Sequence, residues 1–102
     1  MTEIIYQGKA IRRVGILGAG ESGIGTAILC KKHGIEAFLS DHGTIAAKHV
    51  AELEAIGTPY EQGRHSIERI LAADIVVKSP GIPSDAPIIK DVVAKGIPVV
   101  SE

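Results

Sequence analysis

A chain of 102 residues has room for one hydrophobic core and is too short for a two-domain enzyme. Apolar residues make up 45% of it, yet only 3% are aromatic, and 16 Ile and 8 Val against 5 Leu favour strands over an all-helical bundle. The formal net charge of −1 provides no global attraction to nucleic acid or to an anionic membrane.

One cysteine, Cys30, excludes an internal disulfide framework and suits a reducing compartment. Met1 to Arg13 contains no signal-like apolar stretch, and no run approaches the roughly 18 residues of a membrane-spanning helix. The expectation is a cytoplasmic, monomeric domain with neither a nucleic-acid nor a membrane partner.

Val14 to Leu17 is a short apolar run that stops at a glycine cluster. Ile24, Ala27 and Ile28 then recur at helical spacing up to Lys31, Lys32 and His33, which suit a helix C-terminus, and Gly34 closes it. Ile35 to Ser40 reads as the second strand, with Asp41, His42 and Gly43 as its exit turn. Ala46, Val50, Leu53 and Ile56 share one face of a helix predicted over Thr44 to Ile56, ended by Gly57.

Pro59 to Glu61 is a weak third strand, followed by a turn at Gly63 and a short helix from about Ser66 through Ile67, Ile70 and Leu71. Ile75 to Val77 is the fourth strand, ending at Ser79, Pro80 and Gly81. Ser84 is placed to cap a last helix that buries Ile88, Ile89, Val92 and Val93, tolerates Pro87 in its first turn and closes at Gly96. Ile97 to Val100 is the fifth strand.

Five apolar strands alternating with helices, without a polar strand face, imply an α/β fold with a parallel sheet covered on both sides. The expected form is a Rossmann-like doubly wound five-stranded sheet, whose simplest strand order under right-handed crossovers is 3-2-1-4-5. Ligands of such sheets bind beyond the carboxyl ends of the strands where the order reverses, here between strands one and four.

Two turns meet there. Gly18-Ala19-Gly20-Glu21-Ser22-Gly23 matches G-x-G-x-x-G directly after a strand and opening a helix. Gly18 permits the tight turn, Gly20 allows backbone to approach a ligand oxygen, and Gly23 lets the helix pack on the sheet. The helix N-terminus offers free N–H groups and about half a positive charge to a phosphate. Ser22 can add its hydroxyl, and Glu21 contributes its N–H with its carboxylate turned to solvent. The competing reading is that a tight strand-to-helix turn simply needs glycine.

Ile24 stands where a Walker A loop requires lysine, so this turn does not place a cation on a γ-phosphate. The nucleophile elbow G-x-S-x-G fails too, because in Gly20-Glu21-Ser22-Gly23-Ile24 the second glycine falls one place early.

Asp41 ends the second strand 18 residues beyond Gly23. A carboxylate at this place suits the ribose of a dinucleotide or the imide N–H of a uracil; it also suits an ordinary turn. His33, His42, His49 and His65 form no metal pair with carboxylates or Cys30 and are expected to face solvent, and Cys30 to be a small buried apolar residue. Lys78 ends strand four, either facing an anionic ligand or exposed.

The glycine turn, Ser40-Asp41, the Gly63 turn, Ala72-Ala73-Asp74, Lys78-Ser79-Pro80-Gly81-Ile82 and the run Gly96 to Glu102 occur together. In this combination the chain resembles the N-terminal domain of the Mur ligase family over nearly all of residues 10 to 102, nearest its glutamate-adding branch. Dinucleotide dehydrogenases do not require the Ser-Pro-Gly-Ile segment, which makes it the more specific signal.

The resemblance implies a three-domain enzyme of peptidoglycan synthesis, a process that underlies cell shape and division. The first domain holds UDP-MurNAc-L-alanine, the second carries the ATP and Mg2+ sites, and the third helps to bind ATP and D-glutamate. The substrate carboxylate becomes an acyl phosphate, which the amine of D-glutamate attacks to give the amide, ADP and phosphate. It further implies that Gly20, Glu21, Ser22 and Gly23 meet the diphosphate, and Asp41 and His42 the uracil. Gly63 and Ser79, Pro80 and Gly81 would form the remaining walls.

Some family members carry an arginine two places after the acid, where this chain has Gly43. With no P-loop, carbamylated lysine or magnesium ligands in residues 1–102, the expectation is a single UDP-sugar-binding domain without cofactor or turnover of its own. The alternative is the NAD-binding module of an oxidoreductase or regulator.

Overall fold

The computed structural model describes residues 4–101; Met1 to Glu3 and Glu102, the last residue of the Gly96 to Glu102 motif, lie outside the described residues. The chain begins with an antiparallel hairpin, β1 (Ile4–Tyr6) and β2 (Lys9–Ile11), that the sequence reading did not include. Its two-residue turn holds Gln7 at φ 52° and Gly8 at φ 78°, the left-handed pair whose twist matches that of the flanking strands. The hairpin brings Ile11 into the core and packs Tyr6 against it.

The body alternates strand and helix: β3 (Arg13–Leu17), α1 (Glu21–Lys32), β4 (Glu36–Asp41), α2 (Ala47–Ile56), β5 (Tyr60–Gln62), α3 (Ile67–Ile70), β6 (Ile75–Lys78), α4 (Pro87–Ala94) and β7 (Val99–Ser101). The five body strands form an all-parallel sheet in the order β5-β4-β3-β6-β7, with helices on both faces. Central β3 runs beside β4 and β6, pairing Leu17 with both Ser40 and Lys78 and so aligning three carboxyl ends.

Successive residues of β3 feed opposite faces, as the period of a strand requires. Val14 and Ile16 join Ile24, Ala27, Leu39 and Leu53 under α1 and α2, whereas Leu17 joins Val76, Ile70, Ile89 and Val92 under α3 and α4. Ile16, Leu17 and Leu39 are fully buried, and each such side chain contributes about 1.5–3 kcal/mol by leaving water.

Several local expectations are corrected. Ala86, not Ser84, occupies the N-cap of α4, and no side chain caps it; Pro87 takes the first helical position, where its missing N–H costs nothing. Val93 and Ile28 face solvent, because the inner faces are set by Ile88, Ile89 and Val92 in α4 and by Gly23, Ile24, Ala27 and Cys30 in α1. Helix α2 starts three residues later than Thr44, since Ile45 turns inward and donates its N–H to Gln62. Strands β5 and β7 run one and two residues later than their apolar runs, and Ile97 is buried ahead of β7.

Candidate functional site

The cleft opens where the sheet order reverses, between the turns that leave β3 and β6. Gly18 has φ +104°, and a Cβ on it would stand 2.7 Å from the Cβ of Ser79, so both the backbone conformation and the approach of the second turn demand glycine. A Cβ on Gly23 would sit 2.0 Å from the Gly18 carbonyl oxygen, which explains the third glycine as a packing requirement. Around Gly20 a Cβ would meet nothing within 4 Å, so the space beside it is open. Gly20 is the N-cap of α1 without any side-chain cap, which leaves the N–H groups of the first turn without a side-chain acceptor next to the cleft that Gly20 lines.

Backbone bonds lock the three strand ends together. The N–H of Ser79 donates to the Leu17 carbonyl at 2.8 Å, and that of Gly18 to Ser40 at 2.9 Å. Lys78 is half-buried and donates to the Ile82 carbonyl at 2.9 Å, holding the Ser79 to Pro83 loop instead of standing free in solvent.

A cavity of about 580 Å³ results, within the size range of small-molecule sites. Gly20, Asp41, His42 and Ser79 line it, together with Gly18, Ala19, His65, an apolar wall from Ile67, Ile82 and the start of α4, and a second carboxylate, Asp91. The other candidates stand outside its lining. Glu21 is exposed on the α2 side, its carboxylate 3.4 Å from Lys48, so its charge is turned away from the cleft. Ser22 is exposed on α1, Gly23 is buried beneath it, and Pro80 and Gly81 are exposed on the far side of their loop. Gly63 is outside the lining as well, and donates its N–H to the carbonyls of Asp41 and Gly43, which fixes the exit turn of β4.

Asp41 is already engaged: its carboxylate accepts from the N–H groups of Ala19 and Gly43, each at 2.8 Å. The sequence places His65 in a loop on the ligand side but reads it as facing solvent, and the structure corrects that. The residue is half-buried, bonded to Ser40, and its ring centroid lies 5.9 Å from that of His42. Burial, and then the like charge of His42, lower its pKa despite Glu61 and Asp41, favouring the neutral ring. The available signal was its position just after the third strand, where loops of a parallel sheet reach the ligand end. His49 is buried too, and its Nδ1 lies 2.9 Å from Glu52. Burial raises the thiol pKa of Cys30, as fits an inert core residue.

A second hollow, of about 550 Å³, lies at the opposite end of the sheet between Arg13, Lys31, Phe38 and Arg69. It faces the C-terminal end of α1, where the helix dipole opposes an anion. Among the described residues no cluster of His, Cys, Asp and Glu suits a metal ion, and no helix is long and apolar enough to cross a membrane.

The family model of the Mur ligase MurD-like N-terminal domain matches residues 12–101. The chain belongs to this family. A UDP-N-acetylmuramoylalanine--D-glutamate ligase of Porphyromonas gingivalis is 53% identical over 87 residues, covering 85% of this chain and 19% of that protein. The protein of that name from Bacteroides fragilis is 49% identical over 92 residues, 90% of this chain and 21% of its own. The chain thus spans about a fifth of the length of these relatives.

A crystal structure of the UDP-N-acetylmuramate:L-alanyl-gamma-D-glutamyl-meso-diaminopimelate ligase from Neisseria meningitides superposes with a TM-score of 0.75. It is 21% identical and covers 90% of this chain and 29% of its own. At that identity the likeness concerns the fold, which this MurD-like domain shares with it.

Proposed function

We propose that this MurD-like domain binds the UDP moiety of UDP-MurNAc-L-alanine and serves as the substrate-holding part of a ligase that adds D-glutamate. The observation that carries the reading is the cavity at the sheet's switch point, lined by Gly20 at the uncapped N-terminus of α1 and by the Asp41, His42 and His65 group. The first suits a diphosphate and the second a nucleoside. Gly20 to Gly23 would receive the phosphates through their N–H groups, Asp41 and His42 the uracil, and Gly63 with Ser79 to Gly81 would shape the pocket around them. Family membership and the names of the relatives support the same assignment.

ATP and Mg2+ would act in the parts of the relatives that this chain does not span. There the substrate carboxylate would be phosphorylated and then attacked by the amine of D-glutamate. A few charge-assisted hydrogen bonds, offset by association costs, place the affinity of this chain for the nucleotide at roughly 0.1–1 mM.

The test is a titration followed through the backbone amide signals of Gly20 to Ile24. UDP-MurNAc-L-alanine should shift them at lower concentration than NADH. The opposite order would make the domain a dinucleotide module, and silence toward both at several millimolar would remove the binding role.

A further inference from the structure

Ser40, fully buried at the end of β4, has three hydrogen-bond partners around one hydroxyl. Its Oγ lies 2.8 Å from a carboxylate oxygen of Glu61, 3.1 Å from the carbonyl oxygen of Arg64 and 2.7 Å from Nδ1 of His65. The first two are acceptors only, so the single Ser40 proton must serve them. At 2.7 Å the contact with His65 is then a hydrogen bond only if Nδ1 carries the hydrogen and Ser40 Oγ accepts it.

Glu61 is ionised in this arrangement. Burial pushes its pKa up, but the Ser66 hydroxyl and N–H, the Ser40 hydroxyl and Arg64 outweigh that and hold it below the usual carboxylate range. A charged Glu61 keeps the Ser40 proton turned toward it, which reinforces the assignment at Nδ1. The neutral ring of His65 therefore carries its lone pair on Nε2, on the side of the ring away from Ser40. Among the described residues Nε2 has no hydrogen-bond partner, and His65 lines the cavity. Both oxygens of the neighbouring Asp41 already accept backbone N–H groups, whereas this nitrogen is an unused acceptor.

We propose that His65, fixed as the Nδ1–H tautomer by Ser40 and Glu61, accepts a hydrogen bond through Nε2 from a donor hydrogen of the bound uridine, either the imide N–H or a ribose hydroxyl. The proposal rests on the reading of the cavity as a UDP site. His65 is then a binding residue, and Ser40 and Glu61 are positioning residues that act through it. The buried relay gives a neutral imidazole one fixed polarity, so a ligand that presents an acceptor at this point meets an opposing lone pair.

Two measurements test it. Long-range proton–nitrogen correlation spectra of the free chain at pH 8 should show a protonated Nδ1 and an unprotonated Nε2 on His65, and Ser40→Ala should release that preference. The reverse tautomer in the parent chain overturns the proposal without touching the UDP reading.

The second is calorimetric titration with UDP and two analogues, one methylated at the imide nitrogen and one lacking both ribose hydroxyls. His65→Ala should bind UDP about tenfold more weakly, and His65→Gln, which retains an acceptor, should recover much of that. The analogue missing the relevant hydrogen should bind the parent and His65→Ala alike, which identifies the donor. Equal UDP affinity for parent and His65→Ala, or a tenfold difference preserved with both analogues, sinks the proposal.

If His65→Ala does not fold, the parent chain decides alone. Its preference for UDP over the relevant analogue should vanish once acid protonates His65, while the phosphates contribute equally to both ligands. His42, Asp41, Glu61 and Arg64 are the other titratable groups around this ring, and the same loss of preference must appear in His42→Gln, which removes the other histidine beside the nucleoside. A preference unchanged across that pH range overturns the proposal. Failure of the parent to bind UDP at all would instead refute the functional reading beneath it.

Discussion

Oδ2 of Asp41 accepts the backbone N–H of Ala19 at 2.8 Å, so the residue that closes β4 also ties down the glycine turn that leaves β3. Oδ1 accepts from Gly43 at the same distance and shapes its own exit turn. The carboxylate is a strut of the site. Asp41→Ala would leave the buried Ala19 N–H unpaired and should cost about 2–3 kcal/mol, given the 1.5–3 kcal/mol typical of bonds to charged groups. Asp41→Asn retains one acceptor and should lose about half as much. Urea midpoints that do not move in either variant would refute the strut.

The glycines of the turn separate by substitution. Gly23→Ala forces a Cβ to within 2.0 Å of the Gly18 carbonyl oxygen and should destabilise by about 3 kcal/mol. Gly20→Ala meets no neighbouring atom and should cost about 1 kcal/mol or less, the preference of an N-cap for Gly over Ala. The same methyl would occupy the space proposed for the diphosphate, so UDP affinity should fall in a chain that still folds. A Gly20→Ala variant that binds UDP like its parent would place the phosphates elsewhere.

Acid should unfold the domain in two stages. Burial and His42 lower the His65 pKa, so the unfolded chain takes up this proton first. Stability should therefore decline as pH falls below the ordinary histidine value of about 6.5. The Arg12 N–H, despite burial, and then the Arg13 N–H and Lys9 hold Asp74 below the usual carboxylate range. Its contribution, like that of Glu61, is present above about pH 4 and lost as pH drops through the lowered folded values. Denaturation followed from pH 8 to 3 should show both declines. His65→Gln should abolish the first, and Asp74→Asn should differ most from the parent at pH 7 and least at pH 3.

The hairpin turn is improvable. Gln7 holds φ 52° without the local compensation asparagine offers, so Gln7→Asn should raise stability by a few tenths of a kcal/mol. Gln7→Val, β-branched at a left-handed position, should lower it by about 1 kcal/mol. Matched thermal melts would decide, and a more stable Gln7→Val would show that the turn leaves this conformation.

Most of the body was legible because its signals are local. Val14 to Leu17 followed by three spaced glycines is strand, turn and helix in almost any context, and Ile75 to Val77 followed by Ser-Pro-Gly reads the same way. The hairpin was not legible: Ile4 and Ile5 are short, exposed apolar residues around Gln7-Gly8, a weaker turn signal than Asn-Gly. Helix faces were read only approximately, since Ile28 and Val93 fit the apolar period but look outward once neighbouring helices fill the inner stripe.

At the site, the glycine turn and Asp41 could be placed by spacing, but what they do to one another could not. Asp41 reaches Ala19 across 22 positions, and Ser40 reaches His65 across 25. Both pairs meet because a parallel sheet brings the carboxyl ends of β3, β4 and β5 to one edge. Residue order and periodicity alone determined the alternating fold and the glycine turn, since these depend on neighbours along the chain. Only the tertiary structure decided that Asp41 is a strut, that Glu21 faces away, and that His65 is half-buried in the cavity lining with Nδ1 on Ser40. Those properties follow from which distant groups share a low-dielectric pocket and must satisfy one another's hydrogen bonds there.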